Sequence, residues 1–362
     1  MEERFMKMAI ELAKKGIGKV NPNPLVGAVI VKDSKIIGKG YHKRYGGNHA
    51  EVEAINNAID DVNGATIYVT LEPCFHYGKT PPCVDKLISS GISKVVIGSL
   101  DPNPLVAGKS IEKLKSLGIE VKVGVLEEEC LKLNEVFMKY IKTKLPYVVL
   151  KAGVSLDGKI ATRNGESKWI TGEISRKKVS ELRNQLSGIM VGINTVLADD
   201  PSLTCKIHGG RNPVRIILDS SLRIPLDSQI LKTAYKYETI IVTTSNIDLD
   251  KKTLVEELKA KVIIIDSINN RVDLKKLMVK LGEMKIDSIL LEGGGEVNYS
   301  ALEAGIVDKI MLFIAPKIIG GKDAKTFVEG KGIDLLANHF NVSNLKNEVL
   351  GQDILLTGYI RR

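Results

Sequence analysis

Short apolar runs alternate with amphipathic stretches along the first half of the chain. Residues 1–16 (MEERFMKMAIELAKKG) read as a helix with Phe5, Ala9, Leu12 and Ala13 near one face. Leu25–Val31 (LVGAVIV) and Lys35–Gly40 read as paired strands about a turn at Asp33-Ser34, and Ala50–Ile59 as a helix. Thr66–Leu71 (TIYVTL) is a buried strand, Cys83–Ser90 a helix ended by Gly91, and Lys94–Gly98 a strand. Ser110–Leu117 is a helix ended by Gly118, Glu120–Val125 a strand, and Glu127–Thr143 a longer helix. This alternation predicts a sheet covered by helices.

The polar segment Thr143-Lys144-Leu145-Pro146 ends in a helix-breaking proline, which sets a domain boundary: 1–145 and 146–362. Strand-like runs then follow at Tyr147–Val154, Gly188–Gly192, Val214–Leu218, Thr239–Thr243, Val262–Ile265, Ser288–Leu291, Lys309–Ile314 and Asp353–Ile360. Helices are predicted at Ser175–Leu186, Leu254–Lys259 and Leu274–Met284. The fold class is α/β in both halves.

A chain of 362 residues that is 44% hydrophobic can bury a core in each of two domains, and with only 5% aromatic residues those cores should be aliphatic. The formal charge of +9 favours an anionic ligand, yet the lysines are spread rather than bunched, so a solvated basic surface explains it equally well. Four cysteines, Cys74, Cys83, Cys130 and Cys205, are too few for a disulfide scaffold. With no signal-peptide core and no apolar run able to span a bilayer, a soluble cytoplasmic protein with no membrane partner is expected.

The sharpest chemistry lies in His49-Ala50-Glu51, Pro73-Cys74 and Cys83. Hydrolytic removal of an amine from an aromatic ring needs hydroxide at neutral pH, and zinc provides it by lowering the pKa of water to about 7. One imidazole and two thiolates make three protein ligands and leave a fourth position open. Cys83 follows Pro81-Pro82 at a helix start, which favours a thiolate. Glu51, two residues from His49, can move protons without binding the metal. A lone His-x-Glu, or two cysteines with eight residues between them, would mean little; their order after Leu71-Glu72-Pro73-Cys74 is what points to catalytic zinc. Cys130 and Cys205 read as small buried hydrophobes.

These residues resemble the cytidine-deaminase-like superfamily, whose signature is H-x-E…P-C-x-x-C. The chain departs from it in having eight residues, Phe75 to Pro82, between the cysteines. The run TLEPCFHYGKTPPC, with Asn21-Pro22-Asn23-Pro24-Leu25-Val26-Gly27 and Asp101-Pro102-Asn103-Pro104, is similar to the deaminase half of the bifunctional riboflavin-biosynthesis deaminase/reductase family. That resemblance implies a phosphorylated pyrimidine substrate that loses its ring 2-amino group. It also implies that Asn23, His42, His76, Lys79, Thr80 and Asn103 contact its base, ribose and phosphate.

A hydrolytic deaminase needs no second domain. The run from Ile289 to Asn298 carries a strand into a glycine-rich turn, Gly293-Gly294-Gly295, and a helix start, an arrangement able to approach a phosphate. It is not the G-x-G-x-x-G of a Rossmann domain. Together with Leu150 to Lys159, Glu166 to Thr171 and Asn194 to Pro201, it is similar to the reductase half of the same family. The resemblance then implies a cytidine-deaminase-like α/β/α domain followed by a dihydrofolate-reductase-like α/β domain. It further implies NADPH-dependent reduction of the ribosyl group to ribityl, with hydride arriving at C1′. Gly153, Trp169, Thr195, Asp199, Gly294 and Gly295 correspond to cofactor positions, and Ser167, Arg183, Leu203, Lys206 and Glu292 to substrate positions. Lys151 and Asp199 are the ionisable candidates for orienting the ribose and assisting proton movement. Lys206 stands where the family often has arginine, which keeps a charge but loses the bidentate fork. No residue obviously claims the 2′-phosphate of the cofactor.

The resemblance also implies a homo-oligomer and no nucleic-acid partner. Two other readings share part of the pattern: a transfer-RNA base deaminase with an accessory nucleotide-binding domain, and a zinc-stabilised scaffold. The long Cys74–Cys83 loop and the second domain count against the first, and the unliganded Glu51 against the second.

Overall fold

The structure, a computed structural model, describes residues 1–75, 81–103 and 107–361. Its contacts divide the chain into two compact units, Met1–Lys144 and Leu145–Arg362.

The first unit runs α1 (Glu2–Lys14), β1 (Gly27–Lys32), β2 (Lys35–Tyr41), α2 (Ala50–Asn56), β3 (Thr66–Leu71), α3 (Cys83–Ser89), β4 (Lys94–Ser99), α4 (Lys109–Ser116), β5 (Glu120–Val123), α5 (Glu127–Leu133) and α6 (Glu135–Thr143). Its sheet has the order β2-β1-β3-β4-β5, antiparallel on the β2 side and parallel from β3 to β5. Successive side chains of a strand point to opposite faces, and both faces are covered. Ala28, Ile30, Ile67, Val69, Val95 and Ile97 pack with Ala50, Ala54, Val84, Leu87 and Leu114. Val29, Val31, Tyr68 and Val96 pack with Phe5, Met6, Ala9, Ile10 and Cys130 on the other face. The inner strands β1, β3 and β4 are therefore mostly apolar, the edge strands β2 and β5 are not, and the unit is a three-layer α/β/α sandwich.

Two features of this unit bear on its chemistry. A Cβ at Gly40 would lie 2.3 Å from both Ala50 O and Ala54 N, so glycine lets α2 rest directly on β2 and fixes the height of His49 and Glu51 above the sheet. The single helix expected over 127–143 is instead two, broken at Asn134, whose φ of −112° and ψ of 22° leave the helical region. The amide side chain of Asn134 accepts from Leu25 N–H (2.8 Å) and donates to Leu25 C=O (2.9 Å). Pairing with Leu25 competes with continuing the helix, and it wins.

The second unit contains β6 (Tyr147–Ser155), α7 (Glu173–Gln185), β7 (Gly188–Gly192), α8 (Ile193–Asp199), β8 (Val214–Leu218), α9 (Gln229–Lys232), β9 (Thr239–Thr243), α10 (Leu249–Glu257) and β10 (Lys261–Ile264). A small hairpin, β11 (Ser267–Ile268) and β12 (Arg271–Val272), precedes α11 (Leu274–Glu283), β13 (Ser288–Leu291), α12 (Gly295–Glu303), β14 (Lys309–Ala315), β15 (Asn341–Leu350) and β16 (Asp353–Arg361). The main sheet has the order β10-β9-β8-β7-β13-β6-β14-β16-β15, parallel from β10 to β14 and antiparallel beyond. One face packs on α11 and α12 through Leu277, Met278, Leu281, Ala301 and Leu302. The other packs on α8, α9 and α10 through Val196, Ile230, Leu231 and Val255. Both units have the α/β fold class read from the sequence, each with a mixed sheet covered by helices.

Candidate functional site

In the first unit the ends of β3 and of two helices converge. His49 is the N-cap of α2, Cys83 the first residue of α3, and Cys74 lies three residues beyond β3. Their ligand atoms all fall within 4.8 Å of one another. His49 Nδ1 is 3.2 Å from Cys83 Sγ and 3.5 Å from Cys74 Sγ. Tetrahedral zinc with nitrogen at about 2.1 Å and sulfur at about 2.3 Å sets such donors about 3.6 Å apart, so the three side chains fit a zinc ion. The donor chemistry agrees. Hydrogen bonds from Cys83 and His49 drive the Cys74 thiol down to about 4, and the interaction with Cys74 lifts His49 to about 9. The same contact with Cys74, added to burial, pushes the Cys83 thiol up. The helix start at Cys83, expected to favour a thiolate on Cys83, serves its neighbour: Cys83 N–H donates to Cys74 Sγ at 3.2 Å.

Glu51 is 3% exposed, and its Oε2 has no hydrogen-bond partner. Burial pushes its carboxyl up to about 7, with the His49 charge pulling the other way. A buried, unpartnered carboxylate oxygen is costly unless something meets it there, and it lies two residues from a metal-type donor. Among the described residues, His49, Cys74 and Cys83 are the group of three whose donors could hold a metal ion.

The expected substrate contacts in this unit fall into three sets. Asn23 and His42 meet, Asn23 Nδ2 lying 3.2 Å from His42 Nε2, while His42 Nδ1 sits 2.9 Å from Asn48 C=O and its ring meets His49 edge-on at 5.4 Å. Both thus border the metal-type cluster. Asn103 lies in the turn after β4, its N–H donating to Asp101 Oδ1 at 2.8 Å. His76, Lys79 and Thr80 lie outside the described residues.

In the second unit Lys151 (β6), Arg183 (α7) and Glu292 (just after β13) form one partly buried group. Arg183 binds Glu292 through Nε–Oε1 at 3.0 Å and Nη2–Oε2 at 3.1 Å, and Lys151 Nζ lies 3.4 Å from Oε2. Burial alone would raise the Glu292 carboxyl, but Arg183 and Lys151 outweigh it and bring it down to about 2. Arg183 also donates from Nη1 to Thr204 C=O at 3.1 Å, so three of its five N–H groups are committed within the protein. Ser167, on another loop, donates its hydroxyl to Asp199 Oδ1 at 3.1 Å. Leu203 is buried, whereas Lys206 is exposed.

A cavity of about 380 Å³ opens where β7, β8 and β13 end, lined by Thr195, Gly294 and Gly295 among others. This is the position that open parallel sheets use for ligands. A Cβ at Gly295 would lie 2.5 Å from Glu329 Cγ and 2.6 Å from Thr326 O, so only glycine lets α12 begin here. Gly153, Trp169 and Asp199 do not line the cavity. Trp169 is 60% exposed, with the Arg176 guanidinium 4.7 Å over its ring. Sequence reasoning missed the polar far wall: Ser220, Ser221 and Arg223 beyond β8, and Asn270 and Arg271 on the β11–β12 hairpin. The rigid strand-to-loop passage at Asp219, whose Oδ2 accepts from Ile224 N–H at 2.7 Å, was visible only as a polar cluster between apolar runs.

Comparison with known proteins agrees with both units. Residues 1–99 match the cytidine and deoxycytidylate deaminase zinc-binding region, and residues 146–356 match the RibD C-terminal domain. The Riboflavin biosynthesis protein RibD of Actinobacillus pleuropneumoniae is 53% identical over 352 residues, covering 97% of this chain and 93% of that protein. Among solved structures, Acinetobacter baumannii RibD superposes with a TM-score of 0.88 at 37% identity, covering 100% of this chain and 99% of that one. A diaminohydroxyphosphoribosylaminopyrimidine deaminase/5-amino-6-(5-phosphoribosylamino)uracil reductase from Thermotoga maritima does so with a TM-score of 0.86 at 42% identity, covering 99% of each. Two family matches in order along the chain, and relatives similar over almost its whole length, place it in the RibD family of riboflavin biosynthesis proteins.

Proposed function

We propose that the two units catalyse consecutive reactions on one phosphorylated pyrimidine: deamination of 2,5-diamino-6-(5-phospho-ribosylamino)pyrimidin-4-one, then reduction of the ribosyl group of 5-amino-6-(5-phosphoribosylamino)uracil to ribityl. As a RibD protein the chain is a bifunctional deaminase and reductase of riboflavin biosynthesis that uses zinc and NADPH. A transfer-RNA deaminase is not favoured. The domains are read as 1–145 and 146–362.

For the deaminase, His49, Cys74 and Cys83 are the residues that would hold zinc, and Glu51 is the proton carrier. Bound zinc supplies the Lewis acidity that makes water nucleophilic near neutral pH. Glu51, with its carboxyl near 7, accepts a proton from the attacking water on Oε2 and returns it to the departing amine, so that water and an exocyclic C–NH2 become a carbonyl and ammonia. Asn23, His42 and Asn103 orient the pyrimidine beside it, with His76, Lys79 and Thr80 completing the contacts to the sugar phosphate.

For the reductase, NADPH supplies the hydride. Thr195, Gly294 and Gly295, which line the cavity, would hold the cofactor together with Gly153, Trp169 and Asp199. Hydride adds to C1′ of the ring-opened imine, and the nitrogen takes up a proton. Lys151 and Asp199 are the groups assigned to orient the ribose and move that proton. Ser167, Arg183, Leu203, Lys206 and Glu292 line the sugar phosphate.

The observation that carries the reading is the set of three donors within 4.8 Å beside a buried carboxylate oxygen that has no partner. It is tested by supplying the deaminated intermediate with NADPH and following absorbance, and by following ammonia release from the diamino compound. Absence of either signal removes the corresponding half.

No helix among the described residues is long and apolar enough to cross a membrane, and we place the enzyme in the cytoplasm. A homo-oligomer is supported by the edge strand β15, on which Leu345 is 60% and Val349 75% exposed; sedimentation velocity tests it.

A further inference from the structure

One carboxylate of the first unit takes no part in the chemistry described above. Glu72 is 3% exposed and lies two residues before Cys74, at the end of β3. It is ringed by hydrogen-bond donors. Its Oε1 accepts from Gly108 N–H at 2.9 Å and from the Ser110 hydroxyl at 2.6 Å, while Oε2 accepts from Asp101 N–H at 3.3 Å and from the same Gly108 N–H at 3.2 Å. Its own N–H donates to Ser99 C=O at 2.9 Å. Every partner belongs to the stretch that leaves β4 and enters α4. That stretch carries Asn103, whose N–H is held by the Asp101 side chain at 2.8 Å.

We propose that Glu72 is a positioning residue of the deaminase: it ties the Asp101–Asn103 turn to the chain that carries Cys74, so the pyrimidine-binding turn and the metal-holding turn keep one spacing. The inference rests on the reading of Asn103 as a substrate contact. A buried carboxylate offers only acceptors, and this one meets donors on both oxygens. Glutamine has the same shape, but one of its two polar atoms becomes an NH2 that must face N–H or O–H donors. With the NH2 on the Oε2 side Asp101 N–H loses its acceptor; with it on the Oε1 side the Ser110 hydroxyl can turn to accept, but the NH2 meets Gly108 N–H, which keeps only its 3.2 Å bond. The turn then spends less time in the competent position. If that fraction falls to about a tenth, apparent substrate affinity falls about tenfold. The proton transfer at Glu51 is untouched, so turnover once substrate is bound should hold.

The test uses the full chain. Glu72→Gln should raise KM for ammonia release about tenfold, leave kcat within about twofold, and keep the zinc stoichiometry and the NADPH-dependent reduction of the second unit. Asn103→Ala should raise KM on its own, and adding Glu72→Gln to it should then raise KM little further, because both act through one contact. Ser110→Ala, which removes only the 2.6 Å bond, should give a smaller KM rise and serves if the glutamine variant does not fold. Loss of zinc in Glu72→Gln, or a fall in kcat at unchanged KM, would overturn the proposal. So would fully additive effects of Glu72 and Asn103. If Asn103→Ala left KM unchanged, the substrate-contact reading itself would fail, an outcome distinct from a normal Glu72→Gln beside an impaired Asn103→Ala.

Discussion

Arg183 and Glu292, 109 residues apart in sequence, face each other through two parallel hydrogen bonds with side chains only 17% and 12% exposed. Planar guanidinium and carboxylate fit this fork, which a lysine could not fill. Removing Glu292 takes the carboxylate from both Arg183 and Lys151 and leaves the largely covered guanidinium with only the Thr204 carbonyl. Glu292→Ala is expected to destabilise the second unit by about 3–5 kcal/mol. The chain's one tryptophan, Trp169, lies in this unit under the Arg176 guanidinium, so its fluorescence in a urea titration reports the loss. An unchanged midpoint would mean that the pair adds nothing.

The same group sets a pH dependence. The Glu292 carboxyl lies at about 2 in the folded chain against about 4.3 unfolded. A folded value below the unfolded one means that the unfolded state binds the proton more readily. The stabilisation is therefore complete above the unfolded value and is lost as pH falls through the window from about 4.3 to about 2. It amounts to about 3 kcal/mol at neutral pH. Urea midpoints measured across that window should fall more steeply for the natural chain than for Glu292→Gln; parallel curves would contradict the assignment.

Much of this architecture was legible because its strands are buried on both faces. Thr66–Leu71, Gly188–Gly192, Val214–Leu218, Thr239–Thr243 and Ser288–Leu291 are mostly apolar runs, interrupted only by Thr, Ser or the buried Arg215, and each is a strand with those bounds. The metal-type cluster was legible for a different reason: zinc chemistry restricts the donors to His and Cys, and few of either are present. What stayed hidden has physical causes. Strand β15 is almost wholly exposed and shifts register between Ser343 and Lys346, so its sequence has no alternation to follow. Helix α8 has only seven residues, too few to develop a periodicity. The break at Asn134 depends on a partner 109 residues away. The polar wall of the cofactor cavity gathers residues from β8 and the β11–β12 hairpin, and each of them alone looks like an ordinary surface position.

Asn134 is 2% exposed and satisfies both backbone groups of Leu25, two residues beyond Asn23. Asn134→Ala would strand a buried N–H and C=O, at about 1–3 kcal/mol for each group. Because the pair anchors the segment bearing Asn23, the variant should lose stability and also raise KM for ammonia release, whereas Asn134→Asp, which can accept but not donate, should fall between. Thermal unfolding and steady-state kinetics check both. A stability loss with unchanged KM would confine Asn134 to folding.

Metal and proton carrier should separate cleanly. Glu51→Gln keeps the shape of the side chain but removes its ability to accept a proton, so ammonia release should fall by about 10²–10⁴-fold with zinc still bound. Cys74→Ser or Cys83→Ser should lose the metal instead, as should the natural chain under a strong chelator, since each removes a thiolate or the ion itself. In every case reduction of the deaminated intermediate by NADPH should continue. Surviving ammonia release in Glu51→Gln, or loss of its zinc, would require another proton carrier.

The far wall of the cavity bears on the choice between NADPH and NADH. Thr195, Gly294 and Gly295 line the cavity and Gly153, Trp169 and Asp199 do not; on the function proposed above, the cavity would take the adenosine half of the cofactor. The charges on that side are Arg223, which donates to Asn194 Oδ1 at 2.9 Å, and Arg271, 3.0 Å from Glu296 Oε2. Both are exposed pairs of little intrinsic strength, readily exchanged for a phosphate. A 2′-phosphate would find two guanidinium groups and the Ser220 and Ser221 hydroxyls there; a 2′-hydroxyl would leave that charge unused. Arg223→Ala and Arg271→Ala should each raise KM for NADPH about tenfold while changing KM for NADH less than about twofold, tenfold being about 1.4 kcal/mol of binding. Thermal stabilisation by 2′,5′-ADP should shrink in parallel, and stabilisation by 5′-ADP should not. Equal losses for both nucleotides would mean that these arginines shape the cavity without reading the phosphate.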